Sequence, residues 1–286
     1  MVVFIILHYK NIKDTLECIE SIKKLKGSKK IVVVDNYTLS EEEAFSLKKQ
    51  VDDLICLSDN LGFARANNKG CQLAISKYRP DFLTVINNDT VLYQDDFLKR
   101  IKAIYKRTHF DILGPKILCE EGSGSVNPYS PLKTIEEVQK EIKYQERLLK
   151  YYHSSFLYFG LCMYIRLKAW IKHPSVMKNG SREEVGVALH GCALIFSKKY
   201  YEKYDTVFFD DTFLFHEESF LYLRVRKDHL ISVYSPEIEI EHKEGKSLET
   251  VFSKNKRQKL LFRTEEILKS LRLLEKEMKE SDYEKE

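Results

Sequence analysis

The chain opens on an unbroken apolar run, VVFIIL at 2–7, and turns polar at once in His8, Tyr9 and Lys10. Such a run reads as a strand buried on both faces. Ile12, Leu16, Ile19, Ile22 and Leu25 then recur at helical spacing, with Gly27 placed to end the helix. The alternation continues. KIVVVD (30–35), DLICLS (53–58) and FLTVIN (82–87) read as strands, and EEEAFSLKKQ (41–50) and GFARANNKGCQLAISKY (62–78) as helices. Strands alternating with helices predict an α/β chain with a parallel sheet and right-handed crossovers. Sheets of this kind take ligands beyond the carboxyl ends of their strands.

Four segments reach that edge: LHYK (7–10), DNYT (35–38), SDNLGFARANN (58–68) and NNDT (87–90). One polar strand end is explained by a turn, because Asn and Asp bond locally to backbone. Four together favour a ligand. Farther on, CEEGSGSVNPYSP (119–131) is loop-like, and 134–151 is a charged helical stretch leading into the aromatic run 151–170. HGCALIFSKKYY (190–201) reads as a strand feeding a helix, and FFDDTFLFHEESFLYLRVRK (208–227) as a loop into a helix. ISVYSPEIEIEHKEG (231–245) reads as two strands parted by Pro236, and the chain from Ser253 as a charged helix.

Composition narrows the function classes. At 286 residues the chain suits one large domain or two small ones. A net charge of +4 does not mark a nucleic-acid binder. The six cysteines form no CxxC pair, so they read as reduced thiols of a cytoplasmic protein. The N-terminal run lacks the basic flank of a signal peptide, and the apolar run 156–165 is too short to span a bilayer.

No GxGxxG follows the first strand and no Walker A loop is present, so neither nicotinamide nor P-loop chemistry is indicated. The glycine-rich basic N-terminal loop of a sugar nucleotidyltransferase is also missing. A phosphate ligand at this edge would then be neutralised by a divalent cation, for which Asp89 offers a carboxylate. In HEES, Glu217 and Glu218 sit at a helix start. That position complements the helix dipole, and it also suits a general base.

The segments VVVDN, DNLGFARANNKG, INNDT, HGCALIFSK, FLFHEESFLYLR and EHKEGKS, in this order, resemble family 2 glycosyltransferases of the GT-A fold. The likeness runs from about residue 2 to 247 and is strongest to rhamnosyltransferase-like enzymes of bacterial surface-polysaccharide synthesis. It implies a GT-A domain over 1–250, with a nucleotide-sugar half (1–118), an acceptor half (119–250) and a basic amphipathic tail (251–286). It implies an inverting transfer from a UDP- or dTDP-linked sugar to a glycan or lipid-linked saccharide, assisted by manganese or magnesium.

The resemblance also implies roles for individual residues. Asn87, Asn88 and Asp89 stand at the metal motif usually written DxD, with Asn87 in place of its first acid. Asp89 and His242 would hold the metal. Leu7, His8 and Tyr9 would lie beside the base, and Asp35 would bind the base or ribose, although turn capping explains Asp35 equally well. Asn60, Gly62, Arg65 and Asn68 would face the nucleotide or fix its loop. Gly191 and Cys192 would line the acceptor pocket. Glu218 would be the base, with Glu217 binding donor or acceptor. A sugar nucleotidyltransferase, or a degenerate sugar-nucleotide-binding or assembly protein without catalysis, remain the alternatives. Leu260, Leu261, Ile267, Leu268, Leu271 and Leu274 make the tail amphipathic. It could meet an anionic membrane, a second subunit or its own domain.

Overall fold

The computed structural model describes residues 1–119, 125–160, 181–243 and 256–281. In chain order the elements are β1 (Val2–His8), α1 (Ile12–Lys23), β2 (Lys29–Asp35), α2 (Glu41–Lys48), β3 (Asp53–Cys56), α3 (Gly62–Tyr78), β4 (Phe82–Asn87) and β5 (Thr90–Val91). There follow α4 (Phe97–Thr108), β6 (Ile112–Cys119), α5 (Ile135–His153), β7 (Glu184–Val185), β8 (Ala193–Ser197), α6 (Lys198–Tyr201), α7 (Glu217–Lys227), β9 (Ser232–His242) and α8 (Lys256–Glu280).

The strands form one sheet in the order β3-β2-β1-β4-β8-β6-β9-β5, with β7 beside β9. β3, β2, β1 and β4 are mutually parallel. β8 runs antiparallel between β4 and β6, and β6 and β9 are again parallel. The N-terminal half is therefore the parallel α/β unit expected from the alternation of elements.

β1 shows why the pattern folds this way. Val2, Phe4 and Ile6 pack with Ile19, Ile22 and Ile101 on one face, while Val3 and Ile5 pack with Ala64, Ala66 and Ala74 on the other. A strand covered on both faces has no polar side, which is the reason its sequence is continuously apolar. Two helices begin on capping boxes, Ser40 with Glu43 and Thr134 with Glu137, so their starts are set locally.

One sequence expectation changes, and one left open is narrowed. The stretch around Pro236 is one strand, β9, rather than two. Its ladder with β6 steps from Pro115↔Ser235 to Lys116↔Glu239. Proline has no N–H to give a ladder, so the pairing skips there and resumes. The tail helix α8 packs on its own chain. Leu268, Leu271, Leu274 and Met278 join Val138 and Ile142 of α5 and Phe220 and Leu223 of α7 in a third apolar cluster. Residues 161–180 and 244–255, which include part of the aromatic run and the start of the tail, lie outside the described residues. Among those described, no helix is long and apolar enough to cross a membrane.

Candidate functional site

β1 and β4 end together, Leu7 opposite Asn87, and β2 ends beside them with Asp35 opposite His8. Beyond β4 the backbone N–H of Asn87 bonds Cys192 O at 2.9 Å, and Lys243 N–H bonds Asp89 O at 3.1 Å. Thr90 pairs with His242 across β5 and β9. These backbone ties bring the buried Asp89 and His242 side chains together, with Oδ1 3.1 Å from Nε2. That separation is within ion-pair range, yet the two atoms are not aligned as a hydrogen bond. Asp89 Oδ1 and both His242 ring nitrogens have no hydrogen-bond partner. Buried polar atoms left unpaired are costly and call for an explanation. A carboxylate oxygen and an imidazole nitrogen side by side suit a shared divalent cation. No group of three or more His, Cys, Asp or Glu surrounds one point among the described residues. A cation held here would draw its remaining ligands from substrate phosphates and water.

The acid-bearing helix α7 begins after two non-glycine residues in the left-handed region, Phe215 (φ 71°) and His216 (φ 65°). Each costs about 1–3 kcal/mol and persists only where surrounding structure enforces it. The elbow gives Glu217 and Glu218 different surroundings. Glu218 Oε1 accepts the backbone N–H of Gly191 at 3.1 Å. A Cβ on Gly191 would lie 3.0 Å from that oxygen, so glycine allows the acid its close seat. Gly191 and Cys192 thus join the two ends of the site, Cys192 holding the Asn87 turn and Gly191 holding Glu218.

Two further side chains stand at this junction. His190 Nδ1 accepts the N–H of Cys192 at 3.2 Å, which assigns its proton to Nε2. Its ring lies 6.3 Å from that of Tyr129, edge-on, and 6.3 Å from that of His242. Burial, then the charge of Glu218, pushes the Tyr129 hydroxyl up to about 12, so it stays neutral. Neither residue is marked by the sequence pattern. His190 heads the HGCALIFSK segment without a role assigned to it there, and Tyr129 sits in a stretch that reads as loop.

Glu217 turns the other way, into a cavity of about 260 Å³ between α7 and α8 that Arg224, Lys227 and Glu277 also line. Its residue surface is partly exposed, but Oε1 is sealed and unpartnered. Burial, then the neighbouring Glu218 charge, raises its carboxyl to about 8. A carboxyl raised this way is protonated in the fold where the unfolded chain would have lost its proton. Stability is then full below the unfolded value near 4.5 and falls as pH rises towards 8. The slope is at most about 1.4 kcal/mol per pH unit. Glu217→Gln should flatten this decline, read from urea midpoints at pH 5.5 and 7.5. Parallel declines in both proteins would show that Glu217 does not titrate there.

At the strand ends where a nucleotide was expected, most polar groups are already engaged. Asp35 Oδ1 accepts from Thr38 N at 2.9 Å, Thr38 Oγ1 at 3.2 Å and Leu39 N at 3.3 Å, which caps the turn after β2. Asn60 Oδ1 accepts from Asn36 Nδ2 at 2.8 Å and Gly62 N at 2.9 Å. Tyr9 borders Asn60, and burial raises its hydroxyl pKa. Leu7 packs partly buried on the second core cluster.

Gly62 (φ 79°) was expected to bring backbone to a nucleotide. Instead a Cβ there would lie 2.1 Å from Phe213 O, so the close approach is to the chain's own backbone. Arg65 Nε bonds Asp210 O at 2.7 Å, and the Asn68 amide clasps Phe208 N and O, each at 2.9 Å. The first half of α3 therefore grips the 208–213 loop that leads to Glu218. His8 and Asn88 also turn inward: His8 Nδ1 lies 2.6 Å from Thr15 Oγ1, and Asn88 Nδ2 bonds the same oxygen at 3.0 Å. Burial lowers the His8 pKa, keeping the ring neutral.

The family described as Glycosyl transferase family 2 matches residues 3–171, more than half of the chain. The chain belongs to glycosyl transferase family 2. No curated protein matches it. Among solved structures, this family 2 chain is similar to residues 1–349 of S. aureus TarS, with 14% identity and a TM-score of 0.51 over 88% of this chain and 63% of that one. It is similar to the mannosyltransferase PcManGT from Pyrobaculum calidifontis in complex with GDP-Man and Mn2+, with 10% identity and a TM-score of 0.51 over 93% and 69%. It is also similar to GalNAc-T7 with UDP, GalNAc and Mn2+, with 11% identity and a TM-score of 0.54 over 85% and 43%. At these identities the likeness is one of fold, and the family 2 chain spans 63% of the TarS chain's length.

Of the residues expected at the site, Asp89, His242, Gly191, Cys192 and Glu218 converge through the bonds above. Asn60, Gly62, Arg65 and Asn88 are held in contacts within the family 2 chain itself, and Asn68 fixes loop backbone at Phe208.

Proposed function

We propose that the chain is a glycosyltransferase that moves a sugar from a UDP- or dTDP-linked donor to a hydroxyl of a glycan or lipid-linked saccharide, with inversion at the sugar carbon. One observation carries this reading: the Asp89–His242 pair and Glu218 are tied to the same short segment, 190–192. That is the layout an in-line displacement needs, with the leaving diphosphate at one end and the base at the other. The family, and neighbours solved with UDP, GDP-Man and Mn2+, support the donor class. The likeness to enzymes of bacterial surface-polysaccharide synthesis supports the acceptor class and a place at the inner face of the plasma membrane.

Glu218 takes the proton of the acceptor hydroxyl as that oxygen bonds to the sugar carbon. The bond from that carbon to the diphosphate oxygen breaks, and its electron pair leaves with the diphosphate. The Gly191 N–H holds Glu218 Oε1 in place at the start of α7. Asp89 and His242 would hold a divalent cation, manganese or magnesium, which when bound neutralises charge growing on the leaving group. Their unpartnered oxygen and nitrogen atoms fit that cation.

Calorimetric titration with UDP and with dTDP, in manganese and in EDTA, tests the reading. One nucleotide should bind at least about tenfold more tightly with manganese, a difference of about 1.4 kcal/mol. Equal affinity in EDTA would defeat the cation, and absence of binding by either nucleotide would defeat the donor class.

A further inference from the structure

We infer that Thr15 and His8 are positioning residues, which with Asn88 form a buried clamp that sets Asp89 for its cation. The inference rests on the proposed function and concerns side chains that the metal motif itself does not explain.

Three elements meet in the clamp. His8 ends β1, Thr15 lies on α1, and Asn88 follows β4. All three are buried, His8 and Thr15 completely. Thr15 Oγ1 is the hub. It donates to Asn11 O at 3.1 Å, lies 2.6 Å from His8 Nδ1 and accepts Asn88 Nδ2 at 3.0 Å. With its own proton on Asn11, the hydroxyl accepts from both partners, and His8 carries its proton on Nδ1. Asn88 Nδ2 also reaches Asn11 O at 3.4 Å.

Asn88 is bonded covalently to Asp89. Pinning its side chain into α1 fixes the direction in which the next residue leaves the strand. Asp89 faces His242 from that fixed point, and its own carbonyl is held by Lys243 N–H at 3.1 Å. A carboxylate aimed at a cation needs such support, because a ligand that must be ordered on binding loses affinity. Stability alone gives little reason for the arrangement. Apolar side chains of the same shape would fill this place at similar or lower free energy. Hydrogen-bonded polar side chains instead specify one geometry, and the geometry here, in which His8 Nε2 stays without a partner, is shared by two strand ends. His8 belongs to the turn expected beside the base and Asn88 to the turn expected beside the diphosphate. Thr15 ties the two together.

The test measures manganese binding to the full chain with UDP or dTDP present, whichever binds, from the paramagnetic resonance signal of free Mn2+. It compares the parent protein with Thr15→Val, Thr15→Ser and Asn88→Ala, each confirmed as folded by circular dichroism at the assay temperature. Thr15→Val and Asn88→Ala should weaken manganese binding by about 10–100-fold, the usual loss when support behind a metal ligand is removed. Thr15→Ser keeps the hydroxyl and should restore most of the affinity. Parent-like affinity in Thr15→Val would overturn the clamp, as would Thr15→Ser binding no better than Thr15→Val. A lowered melting point with unchanged affinity would also overturn it, since the network would then serve stability alone. If Thr15→Val does not fold, Asn88→Ala decides in the same way. If the parent protein binds no manganese with either nucleotide, the proposed function fails and the clamp falls with it, a result distinct from parent binding that the variants leave unchanged.

Discussion

Glu218→Gln is expected to lower sugar transfer by about 10²–10⁴-fold, the range lost when a general base is removed. Nucleotide affinity should stay as it is. Glutamine has nearly the same shape, and its amide oxygen can still accept the Gly191 N–H that now meets Glu218 Oε1 at 3.1 Å. What it loses is the ability to take a proton. The measurement is single-turnover release of nucleoside diphosphate from the donor, with acceptor supplied, beside calorimetry with the nucleotide alone. Transfer at the parent rate would remove Glu218 from the chemistry. Loss of nucleotide affinity together with transfer would make it a binding residue.

Gly62→Ala is the second large effect, and it acts on the fold first. The position has φ 79°, and the added methyl carbon would lie 2.1 Å from Phe213 O and 2.8 Å from the Phe213 ring. Backbone strain of this kind costs about 1–3 kcal/mol. The overlap adds to it, because Phe63 N–H holds Phe213 O at 2.8 Å and the carbonyl cannot retreat without losing that bond. A total loss of about 3 kcal/mol or more is expected in urea unfolding. Transfer should also drop in the protein that remains folded, because 213 leads directly to the elbow before Glu218. Gly186→Ala is the control. Gly186 has φ 74° but nothing within 4 Å of the new carbon, so it should show the strain alone. Equal losses at the two positions would mean that the Phe213 contact contributes nothing.

The parallel half of the fold is legible because β1, β2 and β4 are buried on both faces and leave no doubt about period or length. GFARANNKGCQLAISKY and FLTVIN coincide with α3 and β4 residue for residue. Pro236 misleads because a proline usually ends a ladder, whereas here the mismatch with β6 absorbs it. β6 itself carries Gly114 and Pro115 inside it, which hides a strand behind turn residues. The site divides in the same way. Asp89 and Glu218 are picked out through the order of the motifs, because an acid at a strand end or a helix start also has local uses of its own. The amides could not be sorted. Asn60 and Asn88 look like ligand contacts in sequence and Asn68 like a residue that fixes loop backbone, but their partners, such as Phe208 and Asp210 for Asn68, lie as far as 142 positions away. His190 and Tyr129 become visible only when β8 and the 125–131 segment are folded against α7.

The inward packing of α8 also limits how the last helix could meet another body. Its apolar residues from Leu268 to Met278 are already packed on α5 and α7. Its exposed side chains include Lys256, Arg263, Lys269, Arg272, Lys276 and Lys279. Four of these six cations are tied to carboxylates of the same chain: Lys269 to Glu266, Arg272 to Glu146, Lys276 to Glu280 and Lys279 to Glu275. Adhesion of this helix to a negatively charged sheet of lipid would therefore be ionic and shallow. It would fade over the Debye length of about 8 Å at physiological ionic strength and release as salt rises.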